Sequence, residues 1–293
     1  GAVVLATGDG YWDALAASGV AGLEGAPVLM TSLDGQSLSP QTEAELRRLA
    51  PSRVYVCGGE MAVPDSVMSA VRAVTGVEPQ RLWGQDATGT AVSIYEAGEG
   101  RWSKTAIVAT SRSFMDALSV APYAYWAHAP IFLASPGDDR LSDETLAAIR
   151  EGGFERVVVV GGAMVVSPDV EGQLASAGVS DVRRLWGQDC EDTSLAIARW
   201  EVAEGGMGVS RMGVATDGVE EFVRSGRGYW DSLCGAALCG RDASVLVIAR
   251  EGRYAAIDGV LSGHASEVVT LRVFGGEAAV PASVLERALS YLG

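Results

Sequence analysis

Short apolar runs alternate with stretches of helical periodicity along the first hundred residues of this chain. Residues 3–7 are apolar and rich in β-branched side chains, which is typical of a strand buried on both faces. Small and apolar residues then recur at helical spacing over 13–21, and a second strand is predicted at 28–31. Ser39-Pro40 is a helix start signal and predicts a helix over 40–49.

A third strand and helix complete the pattern. Residues 54–57 form another apolar run, Gly58-Gly59 marks a turn, and Pro64 or Asp65 opens a further helix. Strands that alternate with helices at this pitch form right-handed β-α-β units. The predicted fold class is therefore α/β, with a small, mainly parallel sheet flanked by helices.

The same order of elements occurs three times. Asp13 and Asp116 are 103 residues apart, and the Gly58 and Gly161 positions show the same spacing. The third copy is longer, because residues 217–228 replace a five-residue turn, and we expect this insertion to be an exposed loop. The three copies align at the helix-opening aspartates Asp13, Asp116 and Asp231 and at the glycine pairs 58–59, 161–162 and 275–276.

One further segment occurs only twice. Arg-Leu-Trp-Gly-Gln-Asp stands at 81–86 and again at 184–189, and each copy precedes a predicted helix, at 88–97 and 193–202. A third copy either lies beyond the sequence or does not exist. Taking this segment as the opening of a unit predicts three modules, at 1–80, 81–183 and 184–293, with the opening segment of the first missing.

Charge and composition exclude several classes of function. The net charge of −15 over 293 residues argues against nonspecific binding of nucleic acid or anionic membranes. No uninterrupted apolar stretch approaches the length of a membrane span, so we expect no membrane insertion. The four cysteines include no Cys-x-x-Cys pair, and the N-terminus lacks a basic leader segment, so the protein is intracellular or its signal peptide lies outside the sequence.

The sequence contains few of the motifs that identify a catalytic site. The two histidines, His128 and His264, fall in different copies and neither recurs, and the sequence contains no Gly-x-Ser-x-Gly or His-Glu-x-x-His motif. We therefore expect no enzyme activity, no catalytic residue, no cofactor and no metal site. Repeated copies without a shared acid–base pair are typical of binding.

The repeated aspartates and glycines are the first candidate site residues. Asp13, Asp116 and Asp231 follow the first strand of each copy, at the carboxyl edge of a parallel sheet where ligands bind. The alternative, which we favour slightly, is that these carboxylates cap helix amides. The glycine pairs could cradle an anion, but without a Gly-x-Gly-x-x-Gly pattern a tight turn is the better interpretation.

The twice-repeated segment supplies the second set of candidates. An arginine fork at Arg81 or Arg184 suits a phosphate or carboxylate on a polymer, and the alternative is an internal ion pair with Asp86 or Asp189. The adjacent tryptophans, at 83 and 186, could stack on sugar rings, although packing between modules is the favoured interpretation.

Taken in register, these motifs resemble the cell-wall-binding repeat 2 family. The resemblance covers nearly the whole chain and rests on Arg-hydrophobic-x-Gly-x-Asp, Asp-Ala-Leu, Ala-Pro-hydrophobic-Leu and Val-x-Gly-Gly. The family usually has a second Arg after the first motif's Asp, where this chain has Ala87 and Cys190. The resemblance implies Toprim-like or Rossmann-like modules in a pseudo-threefold trio. It also implies that polymer attachment involves two apolar runs, Pro27, Val28, Leu29 and Met30 in the first copy and Pro130, Ile131, Phe132 and Leu133 in the second.

The resemblance also implies a function. Such proteins are secreted and held at the cell surface by noncovalent binding to an anionic wall polysaccharide or teichoic-acid-like polymer, often beside a covalently linked effector domain. One alternative is a metal-dependent Toprim-like or nucleotide-handling enzyme, which would need acids around a divalent metal at Asp13, Asp116 or Asp231. The other is a purely structural module of a surface lattice.

Overall fold

The computed structural model describes residues 1–98, 100–217 and 228–293. In the first unit the apolar runs are strands and the periodic stretches are helices, within three residues of the predicted ends. The elements are β1 (Ala2–Ala6), α1 (Trp12–Glu24), β2 (Val28–Met30), α2 (Pro40–Leu49), β3 (Arg53–Cys57), α3 (Asp65–Thr75) and the unpredicted short strand β4 (Gln80–Leu82).

The other two units repeat this order. The second contains α4 (Ala87–Ala97), β5 (Thr105–Thr110), a 3-10 helix (Met115–Val120) that leads into α5 (Ala121–Trp126), β6 (Ile131–Ala134), α6 (Asp143–Gly152), β7 (Arg156–Val160), α7 (Asp169–Ser176) and β8 (Asp181–Leu185). The third contains α8 (Cys190–Ala203), β9 (Gly208–Ala215), α9 (Trp230–Arg241), β10 (Ser244–Ile248), α10 (Ala255–His264), a short 3-10 helix (Ala265–Glu267), β11 (Arg272–Val273) and α11 (Ala282–Leu292).

Each unit builds its own parallel sheet, as the sequence predicts. The strand orders are β2-β1-β3-β4, β6-β5-β7-β8 and, in the described part of the third unit, β10-β9-β11. The register places Leu5 opposite Leu29 in the first sheet and Val108 opposite Phe132 in the second. Successive residues of β1 alternate between two hydrophobic clusters, which explains the continuous apolar run: both faces of the sheet are covered.

The three units meet around a pseudo-threefold axis lined by α1, α5 and α9. These helices contact one another pairwise, and α1 approaches α5 so closely that a Cβ at Gly22 would lie 2.0 Å from the Tyr125 carbonyl oxygen. Three aromatic rings, of Tyr11, Phe114 and Tyr229, form a triangle with centroids 5.2–5.9 Å apart. One continuous hydrophobic core therefore runs through all three units.

Hydrogen bonds around the axis show that the symmetry is approximate. Tyr11 and Trp12 each donate from the side chain to the Ser111 carbonyl of the second unit. Tyr229 and Trp230 donate in the same way to the Gly8 carbonyl of the first unit. The corresponding residues of the second unit, Phe114 and Met115, have no side-chain donor, so the interface between the second and third units uses other contacts.

The Arg-Leu-Trp-Gly-Gln-Asp segments tie neighbouring units together. The strand β4 pairs with β3 in the first sheet, whereas α4, which follows it directly, packs on β6 and α6 of the second unit. In the same way β8 belongs to the second sheet and α8 packs on β10 and α10 of the third. The predicted boundaries at 80/81 and 183/184 thus fall inside a strand that belongs to the preceding sheet.

The predicted insertion at 217–228 falls largely outside the described residues. Its first residue, Asp217, does not fit the expectation of an exposed loop, because the side chain is fully buried at the end of β9. Asp217 contacts a guanidinium and a thiol, and these polar partners compensate for the burial of its carboxyl group.

Candidate functional site

Two equivalent cavities open at the carboxyl edges of the first and second sheets. The first cavity, of about 540 Å³, lies between the helix start at Trp12 and Asp13, the glycine turn at Gly59, and the segment that contains Arg81 and Trp83. Its walls are thus the three motifs that repeat along the sequence.

The second cavity, of about 760 Å³, has the same construction from Asp116, Gly162, Arg184 and Trp186. Arg250, from the third unit, also reaches its wall. Because this edge is where open α/β sheets bind ligands, the two cavities are the candidate functional sites.

Each helix-opening aspartate lies against the first glycine of its turn. A Cβ at Gly58 would lie 2.5 Å from Asp13 Oδ2, and in the third unit a Cβ at Gly275 would lie 3.0 Å from Asp231 Oδ2. Both glycines have positive φ, 115° and 121°, as does Gly161 of the second unit at 110°. The glycine pairs are therefore tight turns, as favoured from the sequence, and glycine leaves room for the carboxylate.

The carboxylates of Asp13 and Asp116 do not cap their helices. The side chain of neither the N-cap residue Tyr11 nor Phe114 makes a capping bond, and no amide of a described residue donates to Asp13. Asp13 is 8% exposed, and desolvation raises its pKa to about 6. Burial likewise raises the pKa of Asp116, partly offset by a hydrogen bond from Thr193, whereas Asp231 is exposed. The capping interpretation is therefore wrong for Asp13 and Asp116.

The two arginines hold the turns in place. Arg81 donates from Nη1 to the carbonyl oxygens of Gly58 and Val63, at 2.9 and 2.7 Å, and pairs with Asp65. Arg184 makes the equivalent bonds to Gly161 and Val166 and pairs with Glu171. An internal ion pair thus forms at both positions, but with other partners than the predicted Asp86 and Asp189. Asp86 and Asp189 instead accept backbone N–H groups at the starts of α4 and α8.

The tryptophans beside them are exposed. Trp83 and Trp186 are 54% and 56% exposed, so the expectation that they pack between modules is wrong. Each indole lies over the second glycine of its turn, with a Cβ at Gly59 or Gly162 expected 3.5 or 3.4 Å from the ring. A large apolar ring fixed at the rim of a cavity is a surface on which a sugar ring can stack.

A cluster of polar residues from the third unit lies beside the second cavity, which Cys190 and Arg250 line. Cys190, Glu191 and Asp217 have ligand atoms within 4.8 Å of one another, and this is the one such potential metal-binding group among the described residues. The Arg250 Nε lies 2.8 Å from Glu191 and 3.1 Å from Asp217, and the Cys190 Sγ lies 3.2 Å from an oxygen of each acid, so its single hydrogen donates to one of them at a time. Burial raises the pKa of Cys190, so the thiol keeps its proton. Arg250 and Cys190 therefore supply the hydrogen-bond donors to Glu191 and Asp217.

This group could not be found from the sequence, because its members are dispersed and do not recur. It includes none of Asp13, Asp116 and Asp231, which lie in three different units. In the described part of the chain, the acidic cluster required by the metal-dependent enzyme alternative is therefore not found at these aspartates.

The two apolar runs implied in polymer attachment lie inside the sheets. Val28, Met30 and the whole of Ile131–Leu133 are buried in β2 and β6, while Pro27 and Leu29 are half-buried. None of these residues, nor Pro130, lines either of the two cavities. Their position is that of core strands.

The chain belongs to the Cell wall binding domain 2 (CWB2) family, which matches residues 2–68, 81–171 and 184–285. It is thus a cell-wall-binding protein made of three repeats, and it is associated with the cell wall. No described helix is long and apolar enough to cross a membrane.

Comparison with individual proteins places the chain within longer relatives. It is 28% identical over 249 residues to the amidase enhancer of Bacillus subtilis (strain 168), covering 85% of this chain and 31% of that protein. It is 34% identical over 120 residues to the N-acetylmuramoyl-L-alanine amidase LytC of the same organism, covering 41% of this chain and 23% of the amidase. The chain therefore spans a third or less of these curated relatives.

Two solved structures share the fold over the whole chain. Cwp6 from Clostridium difficile superposes with a TM-score of 0.81 at 21% identity, covering 100% of this chain and 44% of that one. Cwp8 from the same organism gives 0.83 at 23% identity, covering 99% and 47%. The α/β class and the threefold repetition are confirmed by this similarity.

Proposed function

We propose that this chain anchors a secreted protein to the Gram-positive cell wall by noncovalent, noncatalytic binding of an anionic wall polymer in the two cavities. The observation that carries the proposal is the recurrence of one arrangement in both: an exposed indole at the rim and an aspartate beside the glycine turn, buried for Asp13 and half-buried for Asp116. The indoles of Trp83 and Trp186 stack on sugar rings, and Asp13 and Asp116 accept hydrogen bonds from the polymer.

Two sites on one rigid body strengthen attachment. Once the first cavity holds a polymer chain, binding of the same chain at the second becomes intramolecular, so weak sites give a tight anchor. The relatives' greater length supports an effector domain outside this segment. We also propose that the binding modules are residues 1–80, 81–183 and 184–293, with boundaries at 80/81 and 183/184.

The charge of the partner sets a further condition. A chain with net charge −15 repels an anionic polymer, and the arginines of both repeated segments, Arg81 and Arg184, are engaged inside the protein. Attachment therefore uses bridging divalent cations or positive groups on the polymer itself. Chelators or high salt weaken it for that reason.

Cosedimentation with purified walls tests the proposal. We expect the protein to pellet with intact walls and to stay in solution with walls from which secondary polymers were extracted. Trp83→Ala and Trp186→Ala should each weaken binding at least tenfold, the equivalent of about 1.4 kcal/mol. Leu289→Ala is the matched control, since this side chain is 49% exposed and lies outside both cavities. Equal binding to intact and extracted walls would refute polymer recognition.

A further inference from the structure

The two cavities are formed by equivalent elements of the repeat, but the side chains that line them differ sharply in charge. Asp13, Glu60, Asp65 and Asp86 line the first cavity together with one guanidinium, that of Arg81. The second cavity has two carboxylates, of Asp116 and Asp189, and two guanidinium groups, of Arg184 and Arg250. The first cavity is strongly negative and the second is balanced, so the two cannot select the same chemical group.

The difference arises at particular positions of the repeat. Glu60 corresponds to Ala163, and Trp12 corresponds to Met115. The first cavity therefore has two exposed indoles, 38% for Trp12 and 54% for Trp83, where the second has one. Trp12 is held in place because its Nε1 donates to the Ser111 carbonyl at 2.5 Å, so the ring is fixed before any ligand arrives.

The floor of the first cavity requires a donor. Asp13 is more than nine-tenths buried, it lines the cavity, and no described residue donates a hydrogen bond to its carboxylate. A buried carboxylate without a donor is costly, so a ligand that brings one is favoured. Two indole rings, of Trp12 and Trp83, line the same cavity, and the face of an indole attracts cations.

We infer that the first cavity binds a primary ammonium group carried by the wall polymer, whereas the second does not. The ammonium donates to Asp13, lies against the indole rings of Trp12 and Trp83, and is attracted by the surrounding acids. This inference rests on the proposed function and specifies which part of the polymer the first cavity recognises. It also resolves the charge conflict, since an anionic polymer that carries ammonium groups presents one positive group for this cavity.

Fluorescence and calorimetric titrations of the purified chain test the chemistry directly. Glucosamine and D-alanine methyl ester, which both carry a primary ammonium, should bind at least tenfold more tightly than N-acetylglucosamine. The better of the two identifies an amino sugar or an aminoacyl ester as the source. Trp12→Met and Glu60→Ala copy the second cavity and should each abolish this preference, while Ala163→Glu in the second cavity is the matched control. Glu60 is exposed, so its replacement keeps the fold. Equal binding of glucosamine and N-acetylglucosamine would overturn the inference.

Chemically modified walls separate this inference from the proposed function. Acetylation of wall amines should reduce cosedimentation at least tenfold, while the polymer itself stays on the wall. Undiminished binding to acetylated walls would refute ammonium recognition and leave polymer anchoring intact. Failure to bind untreated walls would refute both.

Discussion

Replacing Gly58 by alanine tests the packing of carboxylate against glycine that forms the floor of the first cavity. The substitution adds a Cβ at φ 115°, a conformation that costs about 1–3 kcal/mol for a residue other than glycine. The same Cβ would lie 2.5 Å from Asp13 Oδ2, and such overpacking costs roughly a further 1–3 kcal/mol. We therefore expect Gly58→Ala to lower the free energy of unfolding by about 2–6 kcal/mol.

Urea denaturation followed by tryptophan fluorescence measures the effect. Gly76→Ala is the matched control, since Gly76 has φ 72° and no atom within 4 Å of its Cβ position, so only backbone strain applies, about 1–2 kcal/mol. Combining Gly58→Ala with Asp13→Ala removes the overlapping oxygen and should recover about 1–2 kcal/mol relative to additivity. If Gly58→Ala costs no more than Gly76→Ala, the close contact does not govern stability. If the effects of the two substitutions on the free energy of unfolding are additive, the Asp13 carboxylate is not the group that overlaps with the new Cβ.

Three further predictions concern single polar groups. Asp13→Asn should stabilise the protein at pH 7.5 by up to about 3 kcal/mol and have little effect below pH 4, because the folded pKa of about 6 exceeds the ordinary 3.8 and stability is lost as pH rises between these values. Equal increments in urea denaturation at the two pH values would contradict this. Tyr11→Phe removes the hydrogen bond to the Ser111 carbonyl and should cost about 1 kcal/mol, whereas Phe at the corresponding position of the second unit is native; an unchanged midpoint in urea would refute it. Arg250→Met leaves the buried Asp217 carboxylate without its guanidinium, while Glu191 keeps only Arg253 at 3.7 Å, and should cost about 3–5 kcal/mol; a loss below 1 kcal/mol in the same assay would show that Arg250 is not paired with these acids in solution.

Much of the fold could be predicted from local sequence, because helix start signals and continuous apolar runs determine where most helices and strands lie. Both ends of α2 were predicted, since Ser39 accepts from the Thr42 amide and Pro40 occupies the first turn. The strand β4 was not predicted, because its three residues, Gln-Arg-Leu, are mostly polar and lie at the edge of the sheet. Edge strands lack the continuous apolar pattern that identifies central ones.

The candidate site was only partly predictable. Repetition located Asp13 and Arg81, but not whether each side chain caps a helix, binds a carbonyl or faces a cavity, since that depends on which groups of other elements lie nearby. The sequence favours packing for Trp83, because it does not show how much of the ring the neighbouring units cover. Arg250 and Asp217 carried no signal, because they do not recur and lie 33 residues apart in the chain.

The division of each Arg-Leu-Trp-Gly-Gln-Asp segment between two sheets has a consequence for shortening such chains. Residues 81–86 and 184–189 are identical. Removal of 84–186 would therefore restore one intact Arg-Leu-Trp-Gly-Gln-Asp segment and connect β4 to the start of α8. The fused segment would still bind one sheet through its strand and the next through its helix. The rings of Tyr11 and Tyr229 would lose Phe114 from between them, however. Loss of a whole repeat by recombination would therefore keep the connection between neighbouring units but remove part of the aromatic packing at the pseudo-threefold axis.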